Sequence, residues 1–132
     1  MKNSGQVIEV INRNAVVSEA LKAGFIAYLP VLDAGVDFIL YRESDDKTFK
    51  VQLKSRWTID KKYIGRNILV AFPDRENWYL VPHDEMVLWA NDFEYANSLS
   101  WKDNGLYSLA PLSVKLKEKC APYLMPDRLN KT

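Results

Sequence analysis

Residues 36–54 read VDFILYRESDDKTFKVQLK, and this stretch predicts the β-hairpin on which the fold depends. Its first part, 36–41, is rich in β-branched and aromatic residues, and its last part, 49–54, alternates apolar with polar residues. The residues between them are polar and suit a turn. Side chains alternate between the faces of a strand, so Phe49, Val51 and Leu53 can enter a core together. The opposite face then carries polar groups that are available for chemistry.

The residues on either side of the hairpin predict the rest of the fold. Apolar positions recur at helical spacing from about 5 to 23, and Gly24 follows as a helix stop. Further strands are predicted at 25–29, 68–72 and 78–81, helices at 83–90 and 113–124, an irregular segment at 91–105 and a frayed tail at 126–132. A helix, about five strands and then helices predict an α/β fold, with a central mixed sheet flanked by helices.

Length and composition restrict the class of protein. We expect 132 residues to form a single domain, with a core at about 5–90 and a C-terminal helical extension at about 91–125. Hydrophobic residues make up 48%, which argues against disorder. No apolar stretch is long enough to cross a bilayer, and residues 1–14 lack the apolar run of a signal peptide. We therefore expect a cytoplasmic protein with no membrane partner. A lone Cys120 excludes a disulfide framework and cysteine-based zinc binding.

Basic residues are concentrated just after the hairpin. The chain has 18 basic and 17 acidic residues, a net charge of +1, so any binding of nucleic acid must depend on a local patch. Such a patch falls within 50–66, where cationic side chains could contact phosphates. Its members besides Lys54 are Lys50, Arg56, Lys61, Lys62 and Arg66. The alternative is a solvated loop without a ligand.

Pairing of the two hairpin strands would bring Asp37 beside Gln52 and Lys54. Divalent cations such as Mg²⁺ prefer oxygen ligands, which Asp37, the Gln52 amide and the backbone carbonyl of Leu53 could supply. Lys54 could orient a water molecule or stabilise charge that develops on a phosphate. The alternative is that Gln52 and Lys54 lie on the solvent face of an antiparallel strand.

These residues resemble the PD-(D/E)XK nuclease motif in its variant with glutamine in place of the second acid. The leading helix, Leu29-Pro30, Asp37 and Gln52-Leu53-Lys54 carry the resemblance, which extends over about 5–86. The strand at 78–82 is similar to one in the subgroup of group I intron-encoded endonucleases and archaeal Holliday-junction resolvases. The resemblance implies a restriction-endonuclease-like fold and cleavage of DNA with Mg²⁺ or Mn²⁺.

The resemblance also implies roles for individual residues. Asp37, Gln52 and the Leu53 carbonyl would hold the metal, and Lys54 would assist catalysis. A further acid from the first helix would complete the site, with Glu9 favoured by its position and Glu19 as the alternative. Because so small a domain covers little DNA, we expect a homodimer or higher homo-oligomer.

Two other hypotheses stay open. A nuclease-fold module could bind DNA or a protein without cutting, because Gln52 removes one negative charge from the metal site. An unrelated α/β scaffold would lack the pairing of Asp37 with Gln52.

Overall fold

The computed structural model describes residues 4–130. Helix α1 spans Gly5–Lys22, where the Ser4 hydroxyl caps its N-terminus by accepting the Val7 N–H at 3.2 Å. Gly24 follows the helix with φ +89°, a left-handed conformation that glycine adopts without strain. The helix and its stop thus lie where the sequence predicts them.

A five-stranded sheet forms the centre of the fold. In order across the sheet, its strands are β1 (Ile26–Tyr28), β2 (Phe38–Arg42), β3 (Lys47–Leu53), β5 (Ile68–Asp74) and β6 (Asn77–Pro82). The β3–β5 pair is parallel and the other pairs are antiparallel, so the sheet is mixed. The predicted α/β fold with a mixed sheet of about five strands flanked by helices is confirmed.

Helices cover the two faces of this sheet. On one face, α1 packs Val16 and Ala20 against a cluster that includes Phe38, Leu40 and Val51. The other face packs against α2 (His83–Asp92) and α3 (Val114–Cys120) in a second cluster. The alternation along β3 therefore places Val51 in the core, as predicted.

The sequence did not predict the second, two-stranded sheet. It pairs β4 (Trp57–Asp60) with β7 (Leu106–Leu109) in antiparallel register. Trp57 and Ile59 of β4 are buried in the cluster beneath α2. The segment expected to be irregular also holds a 3₁₀ turn at Tyr95–Asn97 and a π-helical turn at Ser100–Asn104.

The prediction of a frayed tail is wrong for the part of it that is described. A short helix α4 spans Asp127–Asn130, and Leu129 is fully buried in the cluster beneath α1. The Met125 N–H donates to the Trp78 carbonyl oxygen at 2.9 Å and ties the tail to β6. Residues 131 and 132 lie outside the described residues. No helix within residues 4–130 combines the length and apolar character needed to span a bilayer.

Candidate active site

The hairpin register places Asp37 opposite Gln52. Phe38 pairs with Val51 in the β2–β3 ladder, and the Asp37 N–H extends that ladder by donating to the Val51 carbonyl oxygen at 2.9 Å. The Asp37 carboxylate also accepts the Leu53 N–H at 2.7 Å through Oδ2. Backbone contacts to β3 thus fix both the main chain and the side chain of Asp37.

Gln52 lies in the interior of the sheet. Strand β3 is flanked by β2 and by the parallel β5, where Gln52 pairs with Val70. Its exposed fraction is 9%, and within residues 4–130 its Oε1 accepts no hydrogen bond. The alternative of a solvent-facing antiparallel strand is therefore wrong for Gln52. A buried amide oxygen without a donor is costly and marks a place where a ligand can supply the missing partner.

Lys54 follows β3 at the same end of the sheet. Its backbone N–H donates to the Ala71 carbonyl oxygen at 2.9 Å, which continues the parallel pairing by one residue. Its ammonium nitrogen lies 5.6 Å from the centre of the Tyr63 ring, within the range of a cation–π contact. The aromatic ring therefore supports the charged end of this side chain.

Helix α1 forms the opposite wall of an open pocket of about 520 Å³. Five residues predicted for the site line this pocket together: Glu9, Asp37, Gln52, Leu53 and Lys54. Its remaining lining residues, which the sequence did not indicate, are Gly5, Ile8, Asn12 and Ser55. Asn12 follows Glu9 by one helical turn and Ser55 follows Lys54, so proximity to predicted residues was the available signal.

The two candidate acids of α1 have different surroundings. Glu9 faces the pocket, whereas Glu19 forms an exposed ion pair with Lys22 at 3.2 Å on the same helix. Ten residues along an α-helix span roughly 15 Å, so the two acids cannot serve one site. Glu9 is the acid that the fold brings to Asp37.

Electrostatics at the pocket favour a cation. Burial raises the pKa of Asp37 above its ordinary value, while the Leu53 N–H bond opposes that shift. The charges of Asp33 and Glu9 raise the Asp37 pKa further. The sequence analysis did not single out Asp33. A carboxylate that is partly desolvated and repelled by two others would be stabilised by a bound positive ion.

The donor set fits a hard divalent cation. Within the described residues, no three His, Cys, Asp or Glu side chains form a ready-made metal cluster. The pocket instead offers two carboxylates, the unpartnered Gln52 oxygen and the Leu53 peptide. A set with so few protein ligands suits Mg²⁺, which usually binds one or two carboxylates and keeps several waters.

Two of the residues predicted to contact DNA make contacts within the protein. Lys50 Nζ donates to the Arg66 carbonyl oxygen, and Arg66 Nη2 donates to the Ala34 carbonyl oxygen at 2.8 Å. These contacts connect β3, the start of β5 and the loop that leads to Asp37. Both side chains therefore have a structural role that the sequence did not indicate.

The other three predicted DNA contacts are exposed, as Arg66 is. Lys61 Nζ lies 5.3 Å from the centre of the Trp101 ring, and Lys62 forms an ion pair with Asp60 at 3.7 Å. The exposed Arg56 side chain has no hydrogen bond or ion pair within residues 4–130. Of the three, Arg56 has the side chain most available to an external phosphate.

His83 is a buried structural residue at the start of α2. It is fully buried, and its Nε2 accepts the Asp60 N–H at 3.0 Å. Burial lowers the pKa of His83, which is consistent with a neutral ring that accepts through Nε2. The neighbouring Asp84 accepts the Gly65 N–H at 3.0 Å and does not cap the N-terminus of α2.

Comparisons with known proteins support the fold. No family model and no curated protein matches the chain. Among solved structures, the bacterial homing endonuclease I-Ssp6803I matches with a TM-score of 0.51 and 22% sequence identity. The match covers 65% of this chain and 70% of that protein. At this level of identity the similarity is one of fold, and the chain has a nuclease-like fold.

Proposed function

We propose that this chain is a metal-dependent endodeoxyribonuclease of the PD-(D/E)XK type, in the variant with glutamine at the second acid position. The observation that carries the proposal is the pocket where the Asp37 carboxylate, the unpartnered Gln52 oxygen and Lys54 meet. The solved structure of similar fold is a homing endonuclease, which supports the same class of reaction for this chain.

The metal-binding part of the site would consist of Asp37, Gln52 and the Leu53 carbonyl, with Glu9 completing it from α1. Mg²⁺ or Mn²⁺ bound there would polarise the scissile phosphate and lower the pKa of a water molecule. The Leu53 N–H holds Oδ2 of Asp37 in place. Such fixed geometry lowers the entropy cost of assembling the reacting groups.

Lys54 would act on the substrate phosphate. Its ammonium carries three N–H donors and can stabilise negative charge that develops on the phosphate oxygens. Contact with the Tyr63 ring keeps the charged end at the pocket without neutralising it. Lys54 can therefore donate to a phosphate from a side chain that is already oriented.

The test is cleavage of supercoiled and branched DNA with Mg²⁺ or Mn²⁺. The wild type should cut, and Asp37→Ala and Lys54→Ala should each abolish cutting while leaving the fold intact. Asp45→Ala and Lys47→Ala are matched controls, because both residues lie at the turn end of the same hairpin, away from the pocket. Loss of cutting in these controls, or its persistence in both site variants, would contradict the proposed site.

A module that binds DNA without cutting it is the second candidate. The favouring observation is Gln52, a neutral group where a second carboxylate would hold the metal more strongly. A wild type that binds DNA but stays inert with Mg²⁺ and Mn²⁺ on every substrate would establish this role.

We also propose that the protein acts as a homodimer or higher homo-oligomer. Opposite the buried Val16 and Ala20, α1 presents an exposed stripe in which Lys22 is charged. Its large apolar members are Val7, Val10, Ile11 and Leu21. Sedimentation of the wild type should show an oligomer that Ile11→Glu dissociates. A monomeric wild type at micromolar concentration would contradict this part of the proposal.

A further inference from the structure

Residues 60–66, here named the bracing segment, run from the end of β4 towards β5 beside the pocket. The first two residues of α2 hold this segment near both of its ends. His83 Nε2 accepts the Asp60 N–H at 3.0 Å, and Asp84 Oδ1 accepts the Gly65 N–H at 3.0 Å. The segment is therefore fixed near both ends to the start of α2, through the buried His83 and the exposed Asp84, and can serve as a rigid support.

On one side the bracing segment holds the loop that leads to Asp37. Arg66 Nη2 donates to the Ala34 carbonyl oxygen at 2.8 Å. The Arg66 guanidinium also lies against Gly35, where an added Cβ would come within 2.7 Å of Nη1. The same Cβ would meet the Tyr63 ring at 3.3 Å, so the loop and the segment are in close contact.

On its other side the bracing segment supports Lys54. Tyr63 is 2% exposed, and the Lys54 ammonium lies 5.6 Å from the centre of its ring. The His83 ring meets the Tyr63 ring at 87° with 5.5 Å between centres, an edge-to-face contact. The position of Lys54 thus depends, through Tyr63, on the same helix start that holds the segment.

We propose that Arg66 and Tyr63 are positioning residues of the active site. Arg66 holds the loop before Asp37, and Tyr63 holds the ammonium of Lys54, so one segment sets the relative placement of these two groups. The inference rests on the proposed nuclease function. It replaces the expectation that Arg66 contacts DNA with a role inside the protein.

The first test compares Arg66→Ala with Arg56→Ala, which removes the same charge from an exposed side chain that has no hydrogen bond or ion pair within residues 4–130. A lost phosphate contact reduces the salt dependence of DNA affinity by about one unit in the log–log slope. We expect that reduction in Arg56→Ala and an unchanged slope in Arg66→Ala. The single-turnover cleavage rate of Arg66→Ala should instead fall about 10- to 100-fold, because Asp37 would no longer be held in place relative to Lys54.

Amide hydrogen exchange of the metal-free protein gives a readout that does not need cleavage. Exchange at residues 34–36 should be faster in Arg66→Ala than in the wild type and unchanged in Arg56→Ala. If the wild type cuts no DNA, the nuclease proposal fails. The exchange rates at residues 34–36 still show whether Arg66 holds the loop before Asp37. Unchanged exchange at 34–36, or a salt slope reduced as in Arg56→Ala, would overturn the role of Arg66.

The role of Tyr63 is tested with Tyr63→Phe and Tyr63→Leu. The Phe variant keeps a ring beneath Lys54 and should cleave within about threefold of the wild type, whereas the Leu variant removes the cation–π support. Cleavage by Tyr63→Leu should fall at least about tenfold at saturating DNA, with DNA affinity unchanged. For a wild type without cleavage, the ¹⁵Nζ signal of Lys54 should shift in the Leu variant only. Equal cleavage rates, or equal ¹⁵Nζ signals of Lys54, in Tyr63→Phe and Tyr63→Leu would contradict this role.

Discussion

Replacing Asp37 by Asn should stabilise the metal-free protein while abolishing its response to metal. In the folded state, burial and the charges of Asp33 and Glu9 oppose ionisation of Asp37. Asn keeps an oxygen that can accept the Leu53 N–H but carries no charge. Because Asp37 is only half-buried, solvent screening keeps the expected gain at pH 7 near the lower end of the ~0.5–2 kcal/mol usual for a stabilising substitution. In a chain of this size, 1 kcal/mol corresponds to about 4 °C in Tm.

The pH dependence of this gain has a definite sign. The pKa of Asp37 is raised in the folded state, so the folded protein holds the proton more tightly than the unfolded chain. The penalty of ionisation is complete above the folded-state pKa and disappears as the pH falls below the ordinary value of 3.8. The stability difference between Asp37→Asn and the wild type should therefore be full at pH 7 and decline in acid.

Asp45→Asn provides a control with the same chemical change. The Arg42 guanidinium holds Asp45 through bonds of 2.9 and 2.7 Å and lowers the Asp45 pKa. Because ionisation is favoured there, Asp45→Asn should bring no gain in stability. The pKa is raised at Asp37 and lowered at Asp45, so the same Asp→Asn change should increase stability only at Asp37.

Urea unfolding with and without metal measures both effects. A ligand at about 100 times its Kd stabilises a protein by about 2.7 kcal/mol, so saturating Mn²⁺ should raise the stability of the wild type and of Asp45→Asn. Asp37→Asn should lose this response. A less stable metal-free Asp37→Asn, or one that still responds fully to Mn²⁺, would refute the reasoning about the pocket.

Three further substitutions or treatments test other parts of the structure. Gln52→Glu places a second carboxylate beside Asp37, so calorimetry should show that Mn²⁺ binds about tenfold more tightly. Urea unfolding should show that the metal-free variant is less stable than the wild type. Weaker Mn²⁺ binding would contradict Gln52 as a ligand. His83→Ala leaves the part-buried Asp60 N–H without an acceptor and should lower the free energy of unfolding by about 2–4 kcal/mol at pH 7. His83→Gln retains an acceptor and should cost less. The pKa of His83 is lowered in the folded state, so below pH 6.5 the unfolded chain binds a proton that the folded protein does not. The wild type is therefore less stable there, and its difference in free energy of unfolding from His83→Ala should become smaller. The Cys120 thiol is fully buried, and burial raises its pKa to about 12. A thiol reagent should therefore react with Cys120 only after the protein unfolds. Rapid reaction of the native protein would contradict the packing of α3.

The part of the pocket that the sequence predicts lies within one hairpin. Asp37 and Gln52 become neighbours because the strand register follows from alternation and a short polar turn. Glu9 comes instead from the resemblance to the nuclease motif, which implies a further acid on the leading helix and leaves Glu19 as the alternative. Local pattern thus indicates four of the residues that line the pocket, and the resemblance adds Glu9.

The surroundings of the pocket depend on contacts between distant segments. Trp57–Asp60 forms a strand only because residues near position 107 pair with it, and a four-residue apolar run has no periodicity that reveals its partner. His83 and Asp84 then anchor the segment that follows this strand. His83 accepts the Asp60 N–H although it lies more than twenty residues further along the chain. No local rule connects these positions.

The same dependence distinguishes residues of the basic patch that look alike in the sequence. In sequence, Lys50, Arg56 and Arg66 are three cations of one cluster and cannot be distinguished. The parallel insertion of β5 beside β3 brings Ile68 next to Lys50, and the Arg66 carbonyl oxygen then accepts from Lys50 Nζ. Arg56 precedes β4 and remains exposed. Strand order, which charge patterning does not encode, therefore separates cations with hydrogen bonds inside the protein from Arg56, whose side chain makes none within residues 4–130.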